Sequence, residues 1–230
     1  MTNPKAWVAE LMGTFFLMFG GGGAIISTMS PAGPNLVAVA LGHGLALSMA
    51  VYATGHISGA HINPAVTLAM LTRGKIKPPD AVGYIIAQLA GATLGAICLN
   101  ALYPESAVKA AKLGATLGSL SNVDNVGKVL GIEIIMTFFL VTTIFSVAVD
   151  QRGAKNIYGF AIGLTVAFDI FCGGALTGAS MNPARSFGPA LIGGHWDIHW
   201  VYWVAPIVGA LIAAWFYDLV LIGKDGDQSE

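Results

Sequence analysis

The side chains of this chain that could do chemistry are hydrogen-bonding ones set into apolar sequence, and their spacing marks a path for a permeant, not a reaction centre. Asn63-Pro64-Ala65 returns as Asn182-Pro183-Ala184, 119 residues later (182 − 63). In each copy Asn stands where a helix cap belongs. Pro takes the first helical position, where its missing N–H costs nothing, and the apolar run behind it is too short to cross a bilayer. Two helix starts meeting tip to tip bring partial positive charge and unpaired N–H donors to one place. That chemistry repels cations and suits a neutral, hydrogen-bonding solute. No nucleophile–base pair and no set of residues at metal-ligand spacing stands in either half, so the expected catalytic residues, metal and cofactor are none, and the chain does not read as an enzyme.

The tripeptides lie in a longer register. At the same offset His56-Ile57-Ser58-Gly59-Ala60-His61 falls on Ala175-Leu176-Thr177-Gly178-Ala179-Ser180, and Gly44-Leu45 on Gly163-Leu164. A register held over both flanks is an internal repeat. It breaks where Val66 meets Arg185. A guanidinium in the first turn of an apolar half-helix opposes the helix dipole and is costly to bury, so Arg185 is expected to face the path as a donor and cation barrier. Glu10 and Glu133 take matching places in Glu10-Leu11-Met12-Gly13-Thr14-Phe15 and Glu133-Ile134-Ile135-Met136-Thr137-Phe138. Carboxylates in such apolar stretches need partners, and the backbone N–H groups of the irregular loops ahead of the half-helices are the expected ones.

Three further groups bear on the path. His56 and His61 flank the first motif in what reads as a non-helical loop, where they are expected to hold loop carbonyls toward the path. His43 lies between Gly42 and Gly44 in an apolar span; with no second ligand at helical spacing it reads as an interhelical hydrogen-bonder. Asp169 precedes Ile170 and so points about 100° around its helix from it, toward a neighbouring helix or subunit.

The elements that must position these residues are membrane helices. The 230 residues are 55% hydrophobic and 10% charged, with mean hydropathy +0.72, which marks an integral, multi-pass membrane protein in contact with the lipid bilayer. A net charge of −1 leaves no basic face for nucleic acid. Spans are predicted at about Ala6–Thr28, Leu36–Thr54, Ala81–Leu102, Val129–Val149, Ile157–Ala175 and Trp200–Ile222, with half-helices at Pro64–Thr72 and Pro183–Ile192. The predicted fold is all-α: one membrane domain over 1–230, made of repeats at 6–102 and 128–222, with a tail at 223–230. Three spans per repeat force the second copy to insert inverted. Lys5, Arg73, Lys75, Lys77, Arg152, Lys155 and Lys224 against Lys109, Lys112 and Lys128 place both termini in the cytoplasm. Trp7, Trp196, Trp200, Tyr202, Trp203 and Tyr217 read as an interfacial aromatic belt, Gly20–Gly23 as a close helix contact, and Cys98 and Cys172 as buried small hydrophobes.

The stretches from Gly55 to Thr67 and from Ser180 to Ala190, together with the Glu-bearing first and fourth spans, resemble the aquaporin (major intrinsic protein) family over nearly the whole chain. The resemblance implies an inverted-repeat channel, usually a homotetramer with one pore per subunit, in which Asn63 and Asn182 meet at mid-membrane. It also implies a four-position selectivity filter at His43, Ile170, Ala179 and Arg185. His43 and Ile170 depart from the usual water-selective set of Phe and His and are similar to plant vacuolar aquaporins, some of which pass ammonia. Ser186 stands where glycerol-conducting relatives typically carry Asp. The expected function is passive water conduction in the cell membrane with exclusion of ions and protons. A broader channel for small neutral solutes such as ammonia or glycerol is the alternative, and a structural membrane protein the more distant one.

Overall fold

The computed structural model describes residues 3–223. Nine α-helices follow in order: α1 Pro4–Ser27, α2 Leu36–Ser58, α3 Pro64–Thr72, α4 Pro78–Leu102, α5 Glu105–Ala110, α6 Val126–Ile144, α7 Tyr158–Thr177, α8 Pro183–Gly193 and α9 Val201–Phe216. Helices α6 and α9 each continue as a π-helical turn, at Phe145–Val149 and Tyr217–Ile222. Among the described residues six helices are long and apolar enough to cross a membrane, and no strand forms. Helices α3 and α8 are the two short ones within the bundle.

Both short helices start as local chemistry requires. Asn63 and Asn182 are extended at their N-caps, their side chains accept from Ala65 N–H and from Ala184 and Arg185 N–H, and Pro follows in each. Span boundaries shift by a few residues from those predicted, with one consequence: α2 runs on through His56 to Ser58 and stops at Gly59, whose φ of +82° is open to a residue without a side chain. His56 is therefore helical, not in a loop, and it is exposed without a hydrogen bond to any described residue. It holds no loop carbonyl among the described residues.

The bundle closes on backbone contacts between symmetric pairs. A Cβ on Gly91 of α4 would lie 2.1 Å from the Leu11 carbonyl of α1, and one on Gly209 of α9 would lie 2.3 Å from the Ile134 carbonyl of α6. Leu11 and Ile134 each follow the Glu of their repeat. Small residues replace the hydrophobic drive that is missing between helices in lipid, so side-chain volume here would separate the spans that carry Glu10 and Glu133. Each half-helix packs against the third span of the opposite repeat, α3 on α9 and α8 on α4, which interlocks the halves. The main core gathers where the repeats meet, around Val66, Met181, Leu140, Val141 and Val166.

Several further readings change. Tyr202 is 1% exposed and hydrogen-bonded inside the bundle, so it does not belong to the interfacial belt that still describes the exposed Trp196 and Trp200. Cys172 is exposed on the helix surface and Cys98 only half-buried, both free. Lys224 and most of the tail fall outside the described residues.

Candidate functional site

The site is assembled from two loops that the sequence repeat relates. Gly59, Ala60 and Ile62 have φ of +82°, +49° and +56°; Gly178, Ala179 and Met181 have +86°, +45° and +51°. Left-handed backbone at Ala, Ile and Met is disfavoured and persists only where the surroundings over-determine it. Glu10 and Glu133 do so. Glu10 accepts from Ser58 Oγ (2.7 Å) and His61 N (2.9 Å) on one oxygen, and from Ile62 N (2.6 Å) and Gln88 Nε2 (2.7 Å) on the other. Glu133 accepts from Thr177 Oγ1 (2.7 Å), Ser180 N (2.9 Å) and Met181 N (2.9 Å). Both carboxylates are fully buried. They supply acceptors to loop N–H groups that no helix ladder can reach.

The tips of α3 and α8 are then laced together. Asn63 Nδ2 donates to Met181 O at 2.7 Å, and Asn182 Nδ2 donates to Ile62 O at 2.9 Å. Each Asn spends its oxygen on its own helix start and one N–H across the junction, which leaves one N–H per amide for another acceptor. One cavity of about 190 Å³ passes these residues, bounded by His43 and Arg185 at one end and by Lys75 and Tyr158 at the other, with apolar walls such as Val51, Val66, Leu140 and Val166.

Arg185 lines the His43 end of this cavity under firm constraint. It is 2% exposed. Its Nε and Nη2 donate to His43 Nε2 at 3.2 and 3.0 Å, and its Nη1 donates to Gly114 O at 2.8 Å. His43 Nδ1 lies 2.9 Å from the Val39 carbonyl, which can only accept, so the ring proton sits on Nδ1 and Nε2 is a lone-pair acceptor. Both ring nitrogens are thus occupied. His43 has no N–H to offer a solute; it orients Arg185, which keeps one N–H on each terminal nitrogen without a partner among the described residues. Gly21 makes room for this ring, since a Cβ there would fall 2.2 Å from His43 Cδ2. Ala179 lines the same cavity, whereas Ile170 lines a second, outer cavity that also touches Val39 and Gly178. His43 and Arg185 line the first cavity and not the second.

His61 lines the cavity and its Nδ1 lies 3.1 Å from Thr67 Oγ1. Thr67 gives its one proton to Asn63 O, so it accepts from both Gln88 Nε2 and His61 Nδ1. His61 braces a hydroxyl, not a carbonyl. Asp169 is fully buried, with both oxygens unpartnered among the described residues. It lies on α7 between Thr165, bonded to Thr143 of α6, and Gly173, packed on Met136 of α6, so it faces a helix of its own chain.

Several contributors carry no mark in the sequence that ties them to the site. Tyr84 and Tyr202, the latter expected in the belt, donate to Ser58 O (2.7 Å) and Thr177 O (2.8 Å), the same contact in each repeat. Their spacing of 118 (202 − 84) falls one short of the repeat offset, which sets Tyr84 on Trp203, so the register does not pair them. Gln88 and Gly114 have no counterpart in the other half, and nothing local marks them.

The chain is similar to known proteins over most of its length. The family model described as "Major intrinsic protein" matches residues 1–217. A Zea mays protein named Aquaporin NIP1-1 is 44% identical over 214 residues, covering 93% of this chain and 73% of that protein. Aquaporin TIP1-2 of Zea mays is 42% identical over 236 residues, with 98% and 89% covered. Among solved structures, the X-ray structure of the aquaglyceroporin from Plasmodium falciparum superposes with a TM-score of 0.80 at 27% identity, covering 96% of this chain and 97% of that one.

Proposed function

Because the chain belongs to the major intrinsic protein family, we propose that its cavity conducts water passively along the osmotic gradient and rejects ions and protons. It is a membrane channel and not an enzyme. The observation that carries this reading is the reciprocal crossing of Asn63 to Met181 O and of Asn182 to Ile62 O at the meeting of two helix starts, inside an apolar bore. A water molecule there can accept from the two free amide N–H groups while its own protons turn toward the loop carbonyls on either side. An ion in the same place loses its hydration to hydrocarbon walls, and a cation or hydronium meets the positive ends of α3 and α8 and the charge of Arg185.

Within this reading Asn63, Pro64, Ala65, Asn182, Pro183 and Ala184 form the central constriction, and His43, Ile170, Ala179 and Arg185 form the outer filter. Glu10, Glu133 and His61 support the loops. Ile170 puts an aliphatic wall where a polar one would compete for water, which extends the range to small neutral solutes such as ammonia or glycerol. The domain is a single pair of inverted repeats. The basic residues Arg73, Lys75, Lys77, Arg152 and Lys155 support cytoplasmic termini, and a homotetramer in the plasma membrane completes the proposal.

One set of vesicles decides the solute range. Stopped-flow light scattering on the reconstituted protein is expected to show water permeability well above protein-free vesicles, with glycerol entering more slowly. Weak water flow beside rapid glycerol uptake would reverse the assignment.

A further inference from the structure

The segment between the repeats reaches down to the guanidinium of Arg185, and it does so through disfavoured backbone. Lys112, Leu113 and Gly114 are three consecutive left-handed residues, with φ of +47°, +54° and +68°. A branched, bulky Leu in this region is an outlier, and such strain is kept only where something holds it. What holds it is burial: Leu113 is 2% exposed and packs in the cluster that contains Met18, Leu99 and Ala184. The residue directly after it, Gly114, gives its carbonyl to Arg185 Nη1 at 2.8 Å. Past the turn the segment is latched again, by Thr116 Oγ1 on Ser186 Oγ (2.6 Å) and by Ser119 N and Leu120 N on the carbonyls of Ala175 (3.0 Å) and Leu176 (2.8 Å). The missing side chain of Gly178 permits this approach, since a Cβ there would sit 2.6 Å from Leu117 N.

We propose that Leu113 is a positioning residue for selectivity: its buried side chain anchors the left-handed turn that sets the Gly114 carbonyl against Arg185. The guanidinium's other hydrogen bonds among the described residues are the two to His43, which share one acceptor atom and leave the plane free to pivot. With the second anchor in place its plane is fixed at the His43 end of the cavity, and one N–H on each terminal nitrogen is left for the solute. Without it, water still has a path, but the charge and the steric limit are no longer fixed. The inference rests on the filter role of Arg185 and adds a residue 72 positions away in sequence (185 − 113).

The test measures water permeability, proton leak and glycerol uptake in the same proteoliposomes for wild type, Leu113→Ala, Leu113→Met and Arg185→Val. Leu113→Ala is expected to keep its water permeability per folded channel while proton leak and glycerol uptake rise toward those of Arg185→Val. Leu113→Met, which restores an apolar anchor, is expected to return both to wild-type levels. A purely structural role would lower all three fluxes together with the folded fraction, and that result overturns the proposal. So does a Leu113→Ala channel as selective as wild type beside a leaky Arg185→Val, an outcome that leaves the filter itself standing. If Arg185→Val does not leak, the filter reading fails first. Leu113→Asn, whose side chain tolerates left-handed backbone but supplies no apolar anchor, gives the same readout if the Ala variant does not fold.

Discussion

At the residue scale the account depends on hydrogen-bond arithmetic. Arg185, His43, the two Asn and the two Glu are each bound to named partners, and the groups left over are those a solute can use. The two Asn and the two Glu are legible because they recur in matching surroundings and Arg185 because it breaks the repeat, but this arithmetic is not: nothing in a span flanked by Gly42 and Gly44 says that both His43 nitrogens are taken, one by Val39 and one by Arg185. Glu133 gives the sharpest test of the supporting layer. Its three partners, Thr177 Oγ1, Ser180 N and Met181 N, are all donors. Glu133→Gln therefore turns an amide N–H₂ toward at least one of them and leaves a buried donor unpaired, at a cost of about 1–3 kcal/mol. Denaturation in detergent is expected to show that loss together with reduced water permeability; a variant as stable as wild type would mean the loop does not depend on the carboxylate.

At the element scale the half-helices were legible because caps and Pro are local signals, and Pro64–Thr72 is where the structure puts α3. His56 reads as a loop residue because Gly55 and Gly59 bracket it, yet only Gly59 takes up left-handed backbone and ends α2. The π-helical ends of α6 and α9 were not legible, since they depend on contacts between elements far apart in sequence. One such contact is the loop after α6. Asp150 accepts from Arg152 N (2.9 Å), Nε (2.9 Å) and Nη2 (2.7 Å), and Arg152 Nη2 also reaches the Leu221 carbonyl at 2.8 Å, joining the two π-helical ends. The hydrogen bonds from Arg152 hold the Asp150 carboxyl down from the ordinary 3.8 to about 2. A depressed carboxyl contributes stability above its ordinary value and loses it as pH falls through the folded one, so the contribution fades between about pH 4 and pH 2. Because the Arg152 side chain is 58% exposed, solvent screening keeps the contribution small. Acid unfolding of wild type and Asp150→Asn should therefore run parallel above pH 4 and converge below pH 2; a gap independent of pH would contradict the pairing.

At the scale of the whole molecule, two repeats that individually expose a half-helix and a strained loop become complete by interlocking. Each half-helix packs on the opposite repeat, each Asn reaches across the junction, and each Glu feeds the loop of its own half. The segment between the repeats, which carries no motif in the sequence, bounds the Arg185 end through contacts that no periodicity encodes, such as Gly114 on Arg185. The charge pattern follows from this assembly: two helix starts and one guanidinium converge on a bore whose walls are hydrocarbon. Its direct test is simultaneous measurement of osmotic shrinkage and of an imposed pH gradient, read by an internal dye, in proteoliposomes of the wild-type protein. The account predicts shrinkage faster than that of protein-free vesicles with the pH gradient held; shrinkage at the protein-free rate, or a gradient that collapses as water moves, would contradict it.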